Sequence, residues 1–284
     1  MIIASLLNIV GDLFFVIVLK MGVAGVAIAT VIAQAISVVL CYAYVSRSSE
    51  YFHFGKGELV FDRVLFKDIL RLGLPSSFQN SVAGFGMVMV QGLINSYGEI
   101  SMAAYTAASK MESLSYLPMG GISMSLSLFV GQNIGAANIP RAKKGLSRAL
   151  LCSIGISFVM ASFIYFFGKN IMLLFVNEGD AEVINIGAAF MRNWAPLICL
   201  HVLYDNVVAF LRGSGDSIHA MIALFFDLLT RMAAAYIFAL ALKLGFMGIS
   251  FAIPCGWGVC AVYCLIRYFG GRWKKKAVVS REET

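Results

Sequence analysis

Positions 19–29 read LKMGVAGVAIA and positions 242–252 read LKLGFMGISFA, so one short pattern occurs twice, 223 residues apart. Each copy follows an apolar run of helical length and opens a second such run. A parallel internal repeat of this kind is a device by which secondary transporters are built from two similar halves. Because the first copy lies at the beginning of the chain and the second near its end, we interpret the chain as one whole half preceded by the last hairpin of another.

The composition is that of a protein that spans a lipid bilayer. Of the 284 residues, 60% are hydrophobic and 13% are charged, whereas a soluble domain is about half apolar and about a quarter charged. A transmembrane helix needs about 20 apolar residues. Eight runs meet this length, at about 1–19, 22–45, 74–97, 102–131, 146–167, 183–210, 218–242 and 246–269. We therefore predict an all-α polytopic membrane protein with about eight transmembrane helices.

The net charge of +7 indicates how these helices are oriented. If the helices alternate in direction, 16 of the 22 basic residues fall on one side of the membrane. The positive-inside rule then places both termini in the cytoplasm of a multi-pass protein of the cell membrane. Because the basic residues follow helix ends, we do not interpret the positive charge as a nucleic-acid binding patch.

The order of the apolar runs predicts four regions. They are a terminal helical hairpin of an N-terminal lobe at 1–45, a cytoplasmic amphipathic linker at 46–73, a six-helix C-terminal lobe at 74–270 and a cytoplasmic basic tail at 271–284. The second half begins near residue 73, so the repeat offset predicts about 150 further residues, or four helices, ahead of residue 1. We expect the chain to be a fragment or a natural truncation of a longer transporter.

Four motifs occur in a specific order and spacing. They are NIVGD at 8–12, GVAGVAIAT at 22–30, VGQNIGAAN at 130–138 and LRGSGDS at 211–217. Together they resemble the multidrug and toxic compound extrusion (MATE) family, over nearly the whole chain. The resemblance implies the family's fifth and sixth helices plus its complete C-terminal lobe, in a transporter whose two lobes form an inverted V. It implies a secondary antiporter, not an enzyme, that exports organic cations and other xenobiotics in exchange for Na⁺ or H⁺.

Three polar residues of the first hairpin are candidates for binding that cation. Asn8 and Asp12 are four residues apart and share one helix face. Asp12 lies nine residues before the hairpin centre at Met21 and Thr30 lies nine after it. At 1.5 Å per residue both are about 13 Å from the outer end, near the middle of a core about 30 Å thick. Carboxylate, amide and hydroxyl oxygens at one depth suit Na⁺, and the carboxylate alone suits a proton.

The repeat provides an internal control for this trio. At the offset of 223, Asn8, Asp12 and Thr30 map onto Arg231, Ala235 and Ile253. The second hairpin keeps the turn without the trio, which favours a functional role over packing. The resemblance agrees: one branch of the family has a cation site with an Asn and an Asp four apart on the fifth helix and a Thr on the sixth. That branch also uses an Asp on the first helix, which this chain lacks.

Polar groups in the C-terminal lobe are candidates for a substrate cavity, because ionisable residues within membrane spans are costly and mark functional sites. Another branch of the family has acidic residues on the seventh and tenth helices; the 74–97 segment has amides in place of an acid. Flexible thioethers and aromatic rings suit varied ligands. The candidates are Gln79, Asn80, Met87, Glu112, Tyr116 and Asp205. Asp227 and Arg231 are four apart on one helix, and we expect an intrahelical ion pair.

Other functions remain open at this point. A lipid-linked oligosaccharide flippase of the same superfamily needs basic residues that face a central cavity, and the candidates are Lys110, Arg192 and Arg231. An intramembrane enzyme is disfavoured because the sequence has no HExxH or GxSxG motif and no metal-ligand set. An inert truncated remnant is the third alternative, because alternating access needs two lobes. Transport by this chain then needs the missing N-terminal helices or a second chain, besides organic cations and the bilayer.

Overall fold

The computed structural model describes residues 2–48, 61–177 and 179–276. Within these ranges the regular structure is helical. The chain divides into two compact units, Met1–Phe66 and Lys67–Thr284. In the described ranges the α-helices are α1 Ile2–Leu13, α2 Gly22–Ser48, α3 Arg63–Asn95, α4 Glu99–Gly135, α5 Ile139–Met172, α6 Ala181–Trp194, α7 Ile198–Gly213, α8 Ser217–Tyr236 and α9 Phe246–Phe269.

The predicted fold class is confirmed. Six helical segments are long and apolar enough to cross a membrane, among the described residues. They are Gly22–Arg47, Glu99–Gly135, Ile139–Met172, Ala181–Gly213, Ser217–Ala241 and Phe246–Phe269, and shorter apolar stretches lie at Ile3–Val18 and Gly84–Asn95. Each of the eight predicted runs thus corresponds to helix in the structure, and the last run matches α9 at both ends.

Two helical segments differ in extent from the predicted apolar runs. The end of the predicted amphipathic linker forms the first turns of α3, which continues from Arg63 to Asn95. The other difference is a break near Pro196, where a short 3₁₀ turn, Ala195–Leu197, separates α6 from α7. Proline lacks the amide hydrogen that an uninterrupted helix needs. Residues 49–60 of the linker and 277–284 of the tail lie outside the described residues.

The first unit is a helical hairpin held together by small residues. Gly25, Ala29 and Ala33 recur every fourth residue on α2 and are buried. A Cβ added at Gly11 of α1 would lie 3.1 Å from the Cβ of Ala29. Small residues at this spacing let two helix backbones approach closely, which is how helices associate in membranes.

The second unit packs its helices around the deeply buried α6–α7 segment and α9. Its largest fully buried side chains include Trp194, Phe210 and Trp257. The outer surface is also strongly apolar, with side chains such as Phe158, Phe166 and Leu174 more than 70% exposed. A monomeric soluble protein rarely exposes so large an apolar surface. This surface is the one expected to face lipid in a multi-pass membrane protein.

The internal repeat of the sequence is also a repeat of structure. Each hairpin enters its turn through a short π-helical segment, at Phe14–Val18 and at Ile237–Ala241. The amide of Leu19 donates to the carbonyl of Phe14 at 3.1 Å, and that of Leu242 donates to the carbonyl of Ile237 at 2.9 Å. These positions correspond at the offset of 223. The two hairpins are therefore copies of one another in backbone conformation.

Candidate functional site

The structure joins two members of the predicted cation trio. The side-chain amide of Asn8 on α1 donates a hydrogen bond to the Thr30 hydroxyl on α2 at 3.2 Å. The Thr30 hydroxyl in turn donates to the carbonyl oxygen of Val26 at 2.9 Å. Both residues are half-buried. The bond brings Asn8 of α1 and Thr30 of α2 together, and it orients the Asn8 carboxamide.

Asp12 lies one turn further along the same helix and is half-buried. Its Oδ1 atom is fully shielded from solvent and has no hydrogen-bond partner within the described ranges. Buried polar atoms in native proteins almost always have a partner, because an unsatisfied one is costly. A bound cation would coordinate this atom, and a proton on the carboxylate would remove the charge that makes its burial costly. The residues present in this part of the hairpin therefore fit either Na⁺ or H⁺.

The second unit contains a cavity of about 300 Å³ between α3, α4 and α8. On its α4 side, the Tyr116 hydroxyl donates a hydrogen bond to Oε1 of the buried Glu112 at 2.5 Å. Tyr105 lies on the same wall, and Met87 lines the opposite wall on α3. Aromatic rings and a carboxylate around one cavity favour a cationic ligand, because both attract positive charge.

Asp227 and Arg231 of α8 complete this cavity. Nη2 of Arg231 lies 3.8 Å from Oδ2 of Asp227, which is the intrahelical pair that the spacing predicts. The distance is beyond hydrogen-bonding range. Oδ1 of Asp227 and Nε of Arg231 are buried and lack a hydrogen-bond partner among the described residues. The spacing of the two residues predicted that they share one helix face. It did not predict that this face borders the same cavity as Glu112.

The predicted substrate residues do not all meet at this cavity. Met87, Glu112 and Tyr116 do, whereas Asp205 lies apart from the described lining residues. The half-buried Asp205 carboxylate accepts a hydrogen bond from the Ser123 hydroxyl. Gln79 and Asn80 belong to α3, but their side chains lie outside the described part of the structure.

An aromatic stack supports the cavity wall from behind. The His201 imidazole lies flat against the Tyr116 ring, with centroids 4.1 Å apart and an interplanar angle of 7°. Trp257 meets the edge of the same imidazole at 5.5 Å. This packing restricts the Tyr116 ring and so fixes the direction of its hydrogen bond to Glu112. Sequence reasoning missed this role of His201, because α4 and α7 are distant in the chain.

The 130–138 and 211–217 motifs form structural turns. Oδ1 of Asn138 accepts from the amide of Arg141 at 3.1 Å and thereby caps α5. Asp216, whose side chain is only 1% exposed, accepts from Nε of Arg267 at 2.7 Å and lies 2.9 Å from the His219 ring. This ion pair ties the α7–α8 turn to the end of α9. The motifs thus position helices and do not line the cavity.

Comparison with known proteins identifies the family. A model of the MatE family matches residues 75–237. The chain is 25% identical over 265 residues to the probable multidrug resistance protein NorM of Thermotoga maritima, covering 93% of the chain and 56% of that protein. It is 28% identical over 279 residues to the probable multidrug resistance protein YpnP of Bacillus subtilis, covering 95% of the chain and 60% of that protein.

Solved structures are similar over the same extent. An outward-facing multidrug resistance MATE family transporter of the MOP superfamily superposes with a TM-score of 0.87 at 26% identity, covering 97% of the chain and 62% of that structure. A MOP superfamily transporter from Pyrococcus furiosus, described as having a binding pocket of reverse polarity, gives 0.89 at 25% identity, with the same coverage. The chain spans about half the length of the curated relatives it matches. Since the family model covers more than half of it, the chain belongs to the MatE family of multidrug and toxic compound extrusion transporters.

Proposed function

We propose that this chain forms part of a secondary active multidrug efflux antiporter that exports organic cations in exchange for Na⁺ or H⁺. The unpartnered, buried Oδ1 of Asp12, one turn from the hydrogen-bonded Asn8 and Thr30, carries this proposal. A carboxylate in a membrane span is costly unless it serves a pathway for ions or protons. The names of the multidrug resistance relatives support the same function.

In this mechanism the coupling cation binds at Asp12 and changes the balance between two transporter conformations. A ligand shifts such an equilibrium only by its difference in affinity for the two states. In one conformation of the hairpin, Oδ1 of Asp12 would coordinate the cation. In the other conformation this contact would be lost, so the cation would bind more weakly. Drug release and cation entry are then linked through the shared conformations.

The cavity lined by Glu112 and Tyr116 is the proposed site for the organic cation. Its described lining has two carboxylates, Glu112 and Asp227, and one guanidinium, Arg231. With all three ionised, the formal charge is −1, which favours a cationic ligand over an anionic one. The same surplus disfavours the oligosaccharide flippase, whose pyrophosphate substrate needs net positive charge.

We propose that both termini face the cytoplasm of a cell membrane, as the basic residues at 46–71, 141–148 and beyond 266 indicate. Alternating access needs two lobes. Transport by this protein therefore requires further helices, either from additional N-terminal sequence or from a second chain. The repeat and the length of the relatives both support this requirement.

Exchange in proteoliposomes tests the proposal. The complete transporter is reconstituted, and uptake of ethidium is followed under an imposed Na⁺ gradient and, separately, under a pH gradient. We expect one gradient to drive accumulation and Asp12→Asn to abolish it. Asp205→Asn, which also neutralises a half-buried carboxylate within a helix, is the matched control and should keep coupled transport. Accumulation that persists in Asp12→Asn at the wild-type rate would refute coupling at this site.

A further inference from the structure

The position of Arg231 in the repeat is the starting point for a further role. At the offset of 223, Arg231 corresponds to Asn8 of the cation trio. The hairpins that carry the two residues share their π-helical segments and turn hydrogen bonds. The second hairpin therefore has a positively charged side chain, that of Arg231, where the first hairpin has the neutral amide of Asn8, one turn from Asp12.

The guanidinium is held loosely by its neighbouring carboxylates. Its closest described carboxylate oxygen, Oδ2 of Asp227, is 3.8 Å away, and Glu112 borders the same cavity. The Nε of Arg231 and the Oδ1 of Asp227 have no hydrogen-bond partner in the described part of the chain. The Arg231 side chain is 28% exposed, so it reaches the cavity's interior space. A well-formed Arg–carboxylate pair makes two parallel hydrogen bonds, and this one makes none.

We propose that Arg231 is a tethered cation, which occupies the anionic cavity of the second unit until an organic cation displaces it from Asp227 and Glu112. The nature of that competing ligand rests on the function proposed above. Arg231 thereby sets specificity. With the guanidinium present, one positive charge on the ligand brings the cavity to formal neutrality, so monovalent organic cations are preferred over divalent ones. Arg231 also excludes small inorganic cations from the two carboxylates while no substrate is bound.

Two measurements on the purified full chain test this role. The first is thermal unfolding of Arg231→Ala with and without ethylguanidinium, which replaces the deleted part of the side chain. We expect low millimolar ethylguanidinium to raise the unfolding midpoint of Arg231→Ala by about 2 °C or more and that of the wild type by less. Arg192→Ala is the matched control. Arg192 is also a guanidinium within a helix, but its Nε donates to the carbonyl of Tyr165, away from the cavity.

The second measurement is ethidium binding by fluorescence. Removal of the competing charge should tighten ethidium binding at least about five-fold in Arg231→Ala. Arg231→Lys, which keeps the charge, should bind like the wild type. Arg231→Gln keeps most of the side-chain length and should also bind ethidium more tightly than the wild type. It replaces Arg231→Ala in the binding measurement if the alanine variant does not fold.

The outcomes separate this role from the proposed transport function. Rescue by ethylguanidinium, with tighter ethidium binding in the uncharged variants, supports the tethered cation. Rescue without ethidium binding by any variant supports the tethered cation and contradicts the organic-cation substrate. Absence of rescue in a folded Arg231→Ala, or ethidium binding that is unchanged or weaker in the uncharged variants, overturns the tethered cation.

Discussion

Lys20 and Lys243 share one backbone conformation, with φ angles of 53° and 55°, at equivalent points of two hairpins that lie 223 residues apart in the chain. A positive φ is uncommon for a residue with a side chain. Two residues later, Gly22 and Gly245 also have positive φ angles, of 56° and 62°. The same strained turn therefore occurs twice, and the two hairpins can be compared residue by residue. Positions at which their side chains differ indicate the separate role of each hairpin.

The two helical segments of the second hairpin approach each other closely at Gly248, which leads to a prediction about this residue. A Cβ at this position would lie 2.7 Å from the carbonyl carbon of Phe238 and 2.8 Å from the amide nitrogen of Ala239. Backbone atoms cannot move aside as a flexible side chain can. We therefore expect Gly248→Ala to lower the free energy of unfolding by about 1–3 kcal/mol.

Gly258→Ala is the control for this substitution, because it makes the same change in the same helix. No described atom lies within 4 Å of a Cβ at Gly258, apart from the helix's own backbone. Thermal unfolding of the purified variants compares the two. Equal unfolding midpoints for both alanine variants would contradict the close approach.

The hydrogen bond between Asn8 and Thr30 predicts a specific effect on cation affinity. Thr30→Val keeps the shape of the side chain and removes the hydroxyl that accepts from Asn8 at 3.2 Å. The loss of one neutral hydrogen bond costs about 1 kcal/mol, so we expect the dissociation constant for the coupling cation to rise by about five-fold. Thr106→Val removes a hydroxyl that donates to the carbonyl of Met102 in its own helix, and it should leave the affinity unchanged.

The ion pair between Asp216 and Arg267 predicts a large effect on stability. Arg267→Met leaves the carboxylate of Asp216, whose side chain is 1% exposed, without its closest cation. Breaking a buried pair from one side typically costs about 3–5 kcal/mol. Chemical unfolding should show this loss, and Asp216→Asn combined with Arg267→Met should lose less than the two single variants together. Arg212→Met, at an exposed position near the same turn, should change stability by no more than about 0.5 kcal/mol. Additive losses would mean that the pair is not coupled.

Sequence reasoning was most successful where the signal is local. Apolar run lengths located the helices, and the duplicated motif located the hairpin turns, because both are encoded in neighbouring residues. The sequence also placed Asp12 and Thr30 at one level, since two helices joined by a tight turn have little freedom of register. In the structure Thr30 accepts a hydrogen bond from Asn8, which lies one helical turn before Asp12.

The cavity of the second unit was harder to predict, because its residues come from three helices. The spacing of Asp227 and Arg231 indicated an ion pair but not which helix faces it. Glu112 and Tyr116 are four apart on α4, yet the stack of His201 on Tyr116 depends on how α7 packs against α4. Asp205 had the correct chemistry for the cavity, but its helix directs it to Ser123. Hydropathy patterns do not define such rotations between helices.

The binding of the coupling cation to the first hairpin tests the account's central claim most directly. The unfolding midpoint of the purified protein is measured against Na⁺ at constant ionic strength, and proton uptake is measured by titration, for the wild type, Asp12→Asn and Asp205→Asn. We predict that the wild type responds to Na⁺ or takes up a proton at this site, that Asp205→Asn retains this response and that Asp12→Asn loses it. An Asp12→Asn variant with the full wild-type response to both ions would contradict the assignment of Asn8, Asp12 and Thr30 as the cation site.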